Sequence, residues 1–568
     1  MSNPSKKPRI ESSEDKIITD DIHSVAFDTS YENKSKNTKN ENFRLDIDAI
    51  LKADFFLNAE NNYFPLIEVA KSKSHTILFG QDSDDEKIDE DQWNDDFVKL
   101  PCSKSNKDNE NNPKWTNINQ TLANLNDRVK QFADSIFLEK AIEKCSSNKN
   151  LKLKNLKYLF NKAYSKTESE DIIKNLIPKM IDLALDLPNK IKSSIPILKQ
   201  GKCIESKIFV SFIFLGNTHS ISLTEEQCAI ILANAFFCTF PERSYDSNPE
   251  DMPFINFESL YTGSNKSKIE KLKCILNYFK RITERASTSK RIITFTRICH
   301  ETQNTNIFKE SNKKVRKAII LLDGKIEDCK GALQLDFANE YIGGGVLNHG
   351  CVQEEIRFVL CPELIVSLLF MERMQDNECI YIRGCERFND YSGYASSFEW
   401  KGDFFDTTER DKDNRILTDV LAIDALCFRN SKDQFNKKKI DREIQKCLAG
   451  FSAYLKNDKE KDVVKIPCIA TGNWGCGAFN GNIELKFLIQ LIAATEAGRD
   501  LVYFTFNDID VFSKLNLIMD LLGKNSLTIG QVYTILLEYC DEIDNLSRTQ
   551  IEEFSLIEFF KLKYSDMN

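Results

Sequence analysis

From about residue 115 to 290 the apolar residues recur at three- and four-residue spacings, as in IIKNLIPKMIDLALDL and EEQCAIILANAFFCTF, a period that predicts packed amphipathic helices. Near residue 292 the rhythm changes to short apolar runs, RIITFTR, KAIILLD, ALQLDFA, ECIYIRG, VLAIDAL, KIPCIAT and LVYFTF, with helical stretches between several of them. Such alternation predicts an α/β sheet with helices on its faces. Upstream the pattern fades. Residues 1–45 are rich in Ser, Asn, Lys, Asp and Glu, with too few apolar anchors to offset the entropy of ordering, and are expected to be a disordered tail. QDSDDEKIDEDQWNDD carries nine carboxylates against one lysine and reads as an extended acidic linker. The expected organisation is therefore a tail (1–45), a poorly structured linker segment (46–110) whose FFLNAENNYFPLIEV is a candidate to dock on the main body, a helical accessory domain (111–290), a sheet domain (291–545) and a C-terminal tail (546–568).

Composition narrows the classes. With 568 residues and 41% hydrophobic content the chain can build real cores. Its 77 basic and 86 acidic residues leave a net charge of −9, which argues against holding nucleic acid on a basic surface, so a polyanionic ligand would need local, aimed donors. Seventeen cysteines without a C-x-x-C pair, behind an opening MSNPSKKPRI that has no apolar signal segment, read as reduced intracellular thiols. No run approaches the ~18 apolar residues of a membrane span. Lys6, Lys7 and Arg9 form a short basic cluster that an import receptor could read; an ordinary solvated tail explains it equally.

Glycine marks the working end of the sheet. Fourteen of 21 glycines fall between Gly331 and Gly498, clustering as Gly343-Gly344-Gly345 and as GNWGCG just after two predicted strands. Loops of this kind commonly cradle phosphate with backbone N–H groups, the plainer alternative being two tight turns. The densest polar signal is LDFANEYIGGGVLNHGCVQEEIRFVL, which sets Asp336 and Asn339 at a strand end and Gln353-Glu354-Glu355 at a helix start. Carboxylates there often do no more than favour the helix dipole. Beside a phosphate cradle they could do acid–base work. The five histidines, His23, His75, His219, His300 and His349, are too dispersed for a metal set, so neither metal nor cofactor is expected. For His349 a solvent-facing loop role is expected, and for Cys351, Cys361 and Cys476 packing rather than nucleophilic catalysis.

The G-G-G, seven residues, Q-E-E pattern resembles the signature of the poly(ADP-ribose) glycohydrolase family. FVKLPCS, LANAFFCTFPER, YSGYASSFEW, LAIDALCFR, TGNWGCGAF and LVYFTF resemble further family blocks in family order. The resemblance implies a macrodomain-like mixed sheet flanked by helices, with an N-terminal helical accessory domain. It also implies hydrolysis of the ribose–ribose bonds of poly(ADP-ribose) on modified proteins, reversing that modification in the DNA damage response, by a monomer in nucleus and cytoplasm. A reader that binds the polymer without cleaving it is the alternative. By resemblance Glu355 is the general acid and then base, and Glu354 holds ribose hydroxyls. Asp336 and Asn339 position the distal ribose and the acid, and Gln353 adds a polar contact. Ile326 and Glu327 correspond to the adenine-reading pair, and Tyr394 to a lid. Gly343, Gly344 and Gly345 form the first cradle. Asn473, Trp474, Gly475, Cys476, Gly477 and Ala478 form the second, whose N–H groups take the diphosphate. Phe479 and Phe506 resemble aromatics near ribose and adenine, plain core being an equal reading.

Overall fold

The computed structural model describes residues 91–201, 217–242, 252–285, 290–300, 306–454, 467–544, 546, 550 and 554–565, with the backbone of 67–68 and 74–77. The expected disordered tail and the first ten residues of the acidic run lie outside them. Thirteen strands are described: β1 (Ile67–Glu68), β2 (Ser74–Ile77), β3 (Asn217–Thr224), β4 (Ile292–Cys299), β5 (Ala318–Leu321), β6 (Leu333–Ala338), β7 (Glu378–Gly384), β8 (Asn389–Ser392), β9 (Glu399–Asp403), β10 (Ile416–Asp424), β11 (Ala453–Tyr454), β12 (Ile469–Thr471) and β13 (Leu501–Phe504). Each of the seven apolar runs read as strands contains one.

Nine of these form one mixed sheet in the order β2-β3-β4-β7-β10-β6-β12-β13-β5. β10, β6, β12, β13 and β5 run parallel, so their carboxyl ends share one rim. β4 and β7 are antiparallel to both their neighbours. In open α/β sheets the crevice beyond the carboxyl ends is where ligands settle.

The helices divide between the two faces. On one lie α1 (Lys114–Gln131), α2 (Ser135–Cys145), α3 (Ile177–Leu185), α4 (Glu225–Phe236), α5 (Lys266–Glu284) and α6 (Gln353–Leu360), sharing a core with Phe295, Ile382 and Ala422 of the sheet. On the other lie α7 (Lys437–Phe451), α8 (Ile483–Glu496), α9 (Ile509–Lys524), α10 (Ile529–Asp544) and α11 (Leu556–Ser565), packed on Leu333, Leu335 and Leu421. α4 starts directly from the end of β3: Thr224 Oγ1 accepts from Gln227 N at 3.1 Å and Gln227 Oε1 from Thr224 N at 3.0 Å, a reciprocal cap that lets strand pass into helix without a loop. No described helix is long and apolar enough to cross a membrane.

Three sequence expectations are corrected. The region 111–290 is not all helix, because β3 lies within it and pairs with β4 along its whole length. Its NTHSISLT shows only two apolar residues, the buried Ile221 and Leu223, because its other buried face carries hydroxyls, Ser220 on Thr296 at 2.9 Å and Ser222 on Thr294 at 2.8 Å. The linker segment 46–110 contributes β2 to the sheet edge, pairs β1 with β11, and buries Val98 and Leu100. The C-terminal tail contains α11, whose Leu556, Ile557, Phe559 and Phe560 are buried.

Candidate active site

The loop after β6 and the start of α6 form one knot. Val352, the residue before the helix, has no side-chain acceptor, and Glu355 reaches back past it: its Oε2 accepts from Val352 N at 2.8 Å and its Oε1 from Gly345 N at 2.8 Å. Glu354 accepts from Gly343 N at 2.6 Å and Asn339 N at 2.9 Å. Gly344 lies between the two carboxyls. A Cβ there would sit 2.5 Å from Glu354 Oε2 and 2.7 Å from Glu355 Oε1, and its φ of +48° is already in the left-handed region. The remaining amide, Gly344 N, donates to Tyr341 O at 3.0 Å. All three N–H groups of the triple glycine are thus taken up within the protein, which corrects the expectation that Gly343, Gly344 and Gly345 offer them to a phosphate.

Gln353 is anchored to the strand as well: its Oε1 accepts from Phe337 N at 2.8 Å and its Nε2 donates to Leu335 O at 3.1 Å, so the half-buried amide continues the hydrogen bonding of β6. Asp336 is fully enclosed, and among the described residues neither of its oxygens has a hydrogen-bond partner. It presents no open face to the cleft, and the charges nearest it are those of Arg357 and Glu355. Burial pushes its carboxyl up to about 8, with the Arg357 charge pulling down and the Glu355 charge adding to the rise. Burial, then the charges of Asp336 and Glu355, also raise Glu354, against the pull of its two N–H donors. The cluster consequently retains a proton at neutral pH. Asn339 Oδ1 accepts from Tyr341 N at 3.0 Å, and among the described residues its Nδ2 meets no acceptor.

The loop after β12 is arranged differently. Trp474 is fully buried, its indole N–H donating to Ile423 O at 3.0 Å and its backbone N–H to Gly472 O at 2.7 Å, so this residue is core and not a ligand contact. Cys476 N is likewise taken, by Asn473 O at 3.1 Å, and burial pushes its thiol up to about 12. Among the described residues no acceptor meets the N–H groups of Asn473, Gly475, Gly477, Ala478 or Phe479. Gly477 and Ala478 are exposed. Gly475, at φ +71°, has no room for a side chain, since a Cβ would lie 2.6 Å from Ala425 Cβ. Beneath it the buried Lys486 ammonium sits 4.4 Å from the Trp474 ring centroid and pairs with the equally buried Glu443. The Lys486 charge is thus already compensated, and it is the open amides that suit an anion.

Aromatic and polar groups line the approach. Phe506 and Asn507, at φ +53° and +67°, turn the chain after β13, and the Phe506 ring lies over Gly472 with 42% of the residue exposed. Phe479 is half-buried against the second core and accepts from Phe428 N at 3.0 Å through its carbonyl. Tyr394 is 50% exposed, next to Ala395, whose N–H donates to Cys351 O at 2.9 Å. Ile326 is buried, whereas Glu327 is half-buried, accepts from Tyr391 Oη at 2.8 Å and stands on the wall of a polar cavity of about 160 Å³ that also includes Gln334, Arg357 and Arg387. His349 is exposed, and burial pushes the Cys351 thiol up to about 12, so neither is placed for nucleophilic work.

Several participants escaped sequence reasoning. Tyr391, Arg357 and Glu443 lie in ordinary strand and helix patterns without a motif. Lys271 of α5 is fully buried, and its ammonium donates to the carbonyls of Gly345, Val346, Asn348 and Gly350. The available signal was a lysine at an apolar-stripe position, in register with Ile275 and Tyr278.

A sheet with an anion seat at its parallel rim and a buried carboxyl cluster beside it defines a macrodomain-type site equipped for acid–base chemistry. Residues 305–513 match the profile described as poly(ADP-ribose) glycohydrolase, Macro domain fold, and residues 164–297 the one described as its helical domain. The chain is 30% identical over 450 residues to poly(ADP-ribose) glycohydrolase 1 of Arabidopsis thaliana, covering 67% of this chain and 80% of the relative. It is 34% identical over 333 residues to poly(ADP-ribose) glycohydrolase 1 of Caenorhabditis elegans (57% and 40%). With poly(ADP-ribose) glycohydrolase 2 of that nematode it shares 30% over 448 residues (74% and 83%). The chain belongs to the poly(ADP-ribose) glycohydrolase family.

Proposed function

We propose that the chain hydrolyses the ribose–ribose O-glycosidic bonds of poly(ADP-ribose) to release ADP-ribose, with Glu355 as the acid and then the base. The bond between the anomeric carbon and the departing 2′-oxygen breaks through an oxocarbenium-like transition state. A proton passes from the Glu355 carboxyl to that oxygen, and the resulting carboxylate takes a proton from the water that attacks the anomeric carbon, which restores the acid. Glu354 holds ribose hydroxyls beside it, and Asn339, whose Nδ2 is open, positions the distal ribose. Asp336 keeps a proton in the cluster and limits its charge. The diphosphate rests on the amides of Gly475, Gly477 and Ala478, adenine lies between Phe506 and the Ile326–Glu327 turn, and Tyr394 covers the site.

The observation that carries this reading is the buried carboxyl cluster, because a silent reader of the polymer needs the open loop but not Asp336, Glu354 and Glu355 together. Labelled polymer incubated with the purified chain should yield free ADP-ribose; tight polymer binding with no release would establish the reader instead. The same chemistry fits removal of the modification from proteins in the DNA damage response, by a monomer that does not itself bind nucleic acid, consistent with its net charge of −9. The Lys6, Lys7 and Arg9 cluster supports a nuclear as well as a cytoplasmic location, and removal of residues 1–45 should then lower nuclear accumulation while hydrolysis stays intact.

A further inference from the structure

The segment between the triple glycine and α6 turns four carbonyls, those of Gly345, Val346, Asn348 and Gly350, toward one point, and the Lys271 ammonium occupies it. The contacts to Gly345, Val346 and Asn348 are 3.2, 2.9 and 3.1 Å. Convergent carbonyl dipoles repel one another, so this turn needs the cation, and an ammonium with three donors is suited to several acceptors at once. No carboxylate is paired with Lys271 among the described residues. Burial lowers the ammonium to about 8, against opposing effects from Cys351 and Glu355. The far side of the same turn holds Glu355. The Gly345 peptide gives its carbonyl to Lys271 and its neighbouring N–H to Glu355 Oε1, while a Cβ on Gly350 would stand 2.5 Å from that oxygen.

We propose that Lys271 is a positioning residue for the hydrolysis: from the helical face it fastens the Gly345–Gly350 turn, and through that turn it sets the Glu355 carboxyl against the Gly345 and Val352 amides. The inference rests on the assignment of Glu355 as the acid. It goes beyond that assignment by making a residue of α5 part of the arrangement. The diphosphate seat lies on the loop after β12, which Lys271 does not touch, so loss of the lysine separates turnover from binding.

The test compares Lys271→Met and Lys271→Ala with the parent chain for kcat, KM, ADP-ribose affinity and thermal unfolding. Misplacement of a catalytic group by about 1 Å can cost ~10²-fold in rate. Folded variants should therefore lose about 10²-fold in kcat, with KM and ADP-ribose affinity changed less than threefold. Ethylammonium should restore part of the kcat of Lys271→Ala and none of that of Lys271→Met, whose side chain fills the space. A folded variant with unchanged kcat overturns the proposal, as does a loss of kcat matched by loss of ADP-ribose binding, or a kcat indifferent to the amine. Should neither variant fold, Gly350→Ala reads the link from the other side: a fall in kcat with affinity retained supports it, and unchanged kcat overturns it. A parent chain that releases no ADP-ribose from polymer would instead overturn the proposed function, a result visible before any variant is made.

Discussion

The two glycine loops stand at the same rim, each after a parallel strand and each before a helix, yet they use their amides in opposite ways. After β6 the N–H groups of Gly343, Gly344 and Gly345 point inward, to Glu354, Tyr341 and Glu355. After β12 those of Gly475, Gly477 and Ala478 meet no acceptor among the described residues. The helix that follows decides the outcome. α6 has Val352 before it and two carboxylates in its first turn, so its acids reach back for the loop. α8 is capped by Asn482, whose Oδ1 accepts from Leu485 N at 2.9 Å, and the loop before it is left open. Glycine content does not distinguish a loop with open amides from one that mounts buried carboxyls; amide direction does.

The contrast breaks first at Glu355. Replacing it with glutamine keeps shape and hydrogen bonds but removes the transferable proton, and general acid–base loss costs ~10²–10⁴-fold. Polymer turnover by Glu355→Gln should fall by at least that range while calorimetry still detects ADP-ribose binding; near-parental turnover in a folded variant would move the acid elsewhere. Single methyl groups then separate the loops. Gly344→Ala drives a Cβ between Glu354 and Glu355 and should cost about 10²-fold in kcat. Gly475→Ala disturbs the open amides and should weaken ADP-ribose binding about tenfold, ~1.4 kcal/mol, with kcat at saturation much less affected. If both substitutions act mainly on affinity, the division of labour fails.

A smaller effect reads the carboxyl cluster. Asp336 has a folded-state pKa raised to about 8, so between its unfolded value near 4 and pH 8 the unfolded chain releases a proton that the folded chain keeps. Stability from this group is therefore lost as pH rises through that window and levels off above it. Asp336→Asn cannot ionise, so its melting temperature should gain on the parent from pH 5 to pH 8 and then run parallel; a constant gap would show an ordinary acid at 336. The smallest expected effect is none at all. Diphosphate held by amides and a proton supplied by a carboxyl should leave hydrolysis unchanged in EDTA, and loss restored by magnesium would require a metal at the seat.

Much of this was legible in the chain. β4, β5, β6, β7, β10, β12 and β13 announced themselves as short apolar runs because both faces of their sheet are covered. β3 did not, since only Ile221 and Leu223 are apolar and its other buried face is a ladder of hydroxyls that satisfy one another across the strands. Glu354 and Glu355 were singled out by the resemblance of the triple glycine and QEE to a family signature. The vectors of the loop amides were not, because spacing carries no information about which way a peptide plane faces. Trp474 shows the limit well: it sits inside the open loop in sequence and inside the core in space. Lys271 was hidden for the converse reason: it stands among the charged residues of KSKIEKLKC although it is buried.

The hydrogen bonding of β4 to both β3 and β7 has a consequence for how far the chain can be divided. The stretch matched by the helical-domain profile ends at 297 and the macro-domain stretch begins at 305, a boundary that looks like a place to cut. A cut there would strip three strands, β2, β3 and β4, from one end of the nine-stranded sheet, leaving β7 as a bare edge with unpaired amides and carbonyls, the template on which chains aggregate. The two halves are thus not separable modules. Grafting or shuffling this catalytic unit requires a graft that starts upstream of β3, however complete the acid-bearing half looks by itself.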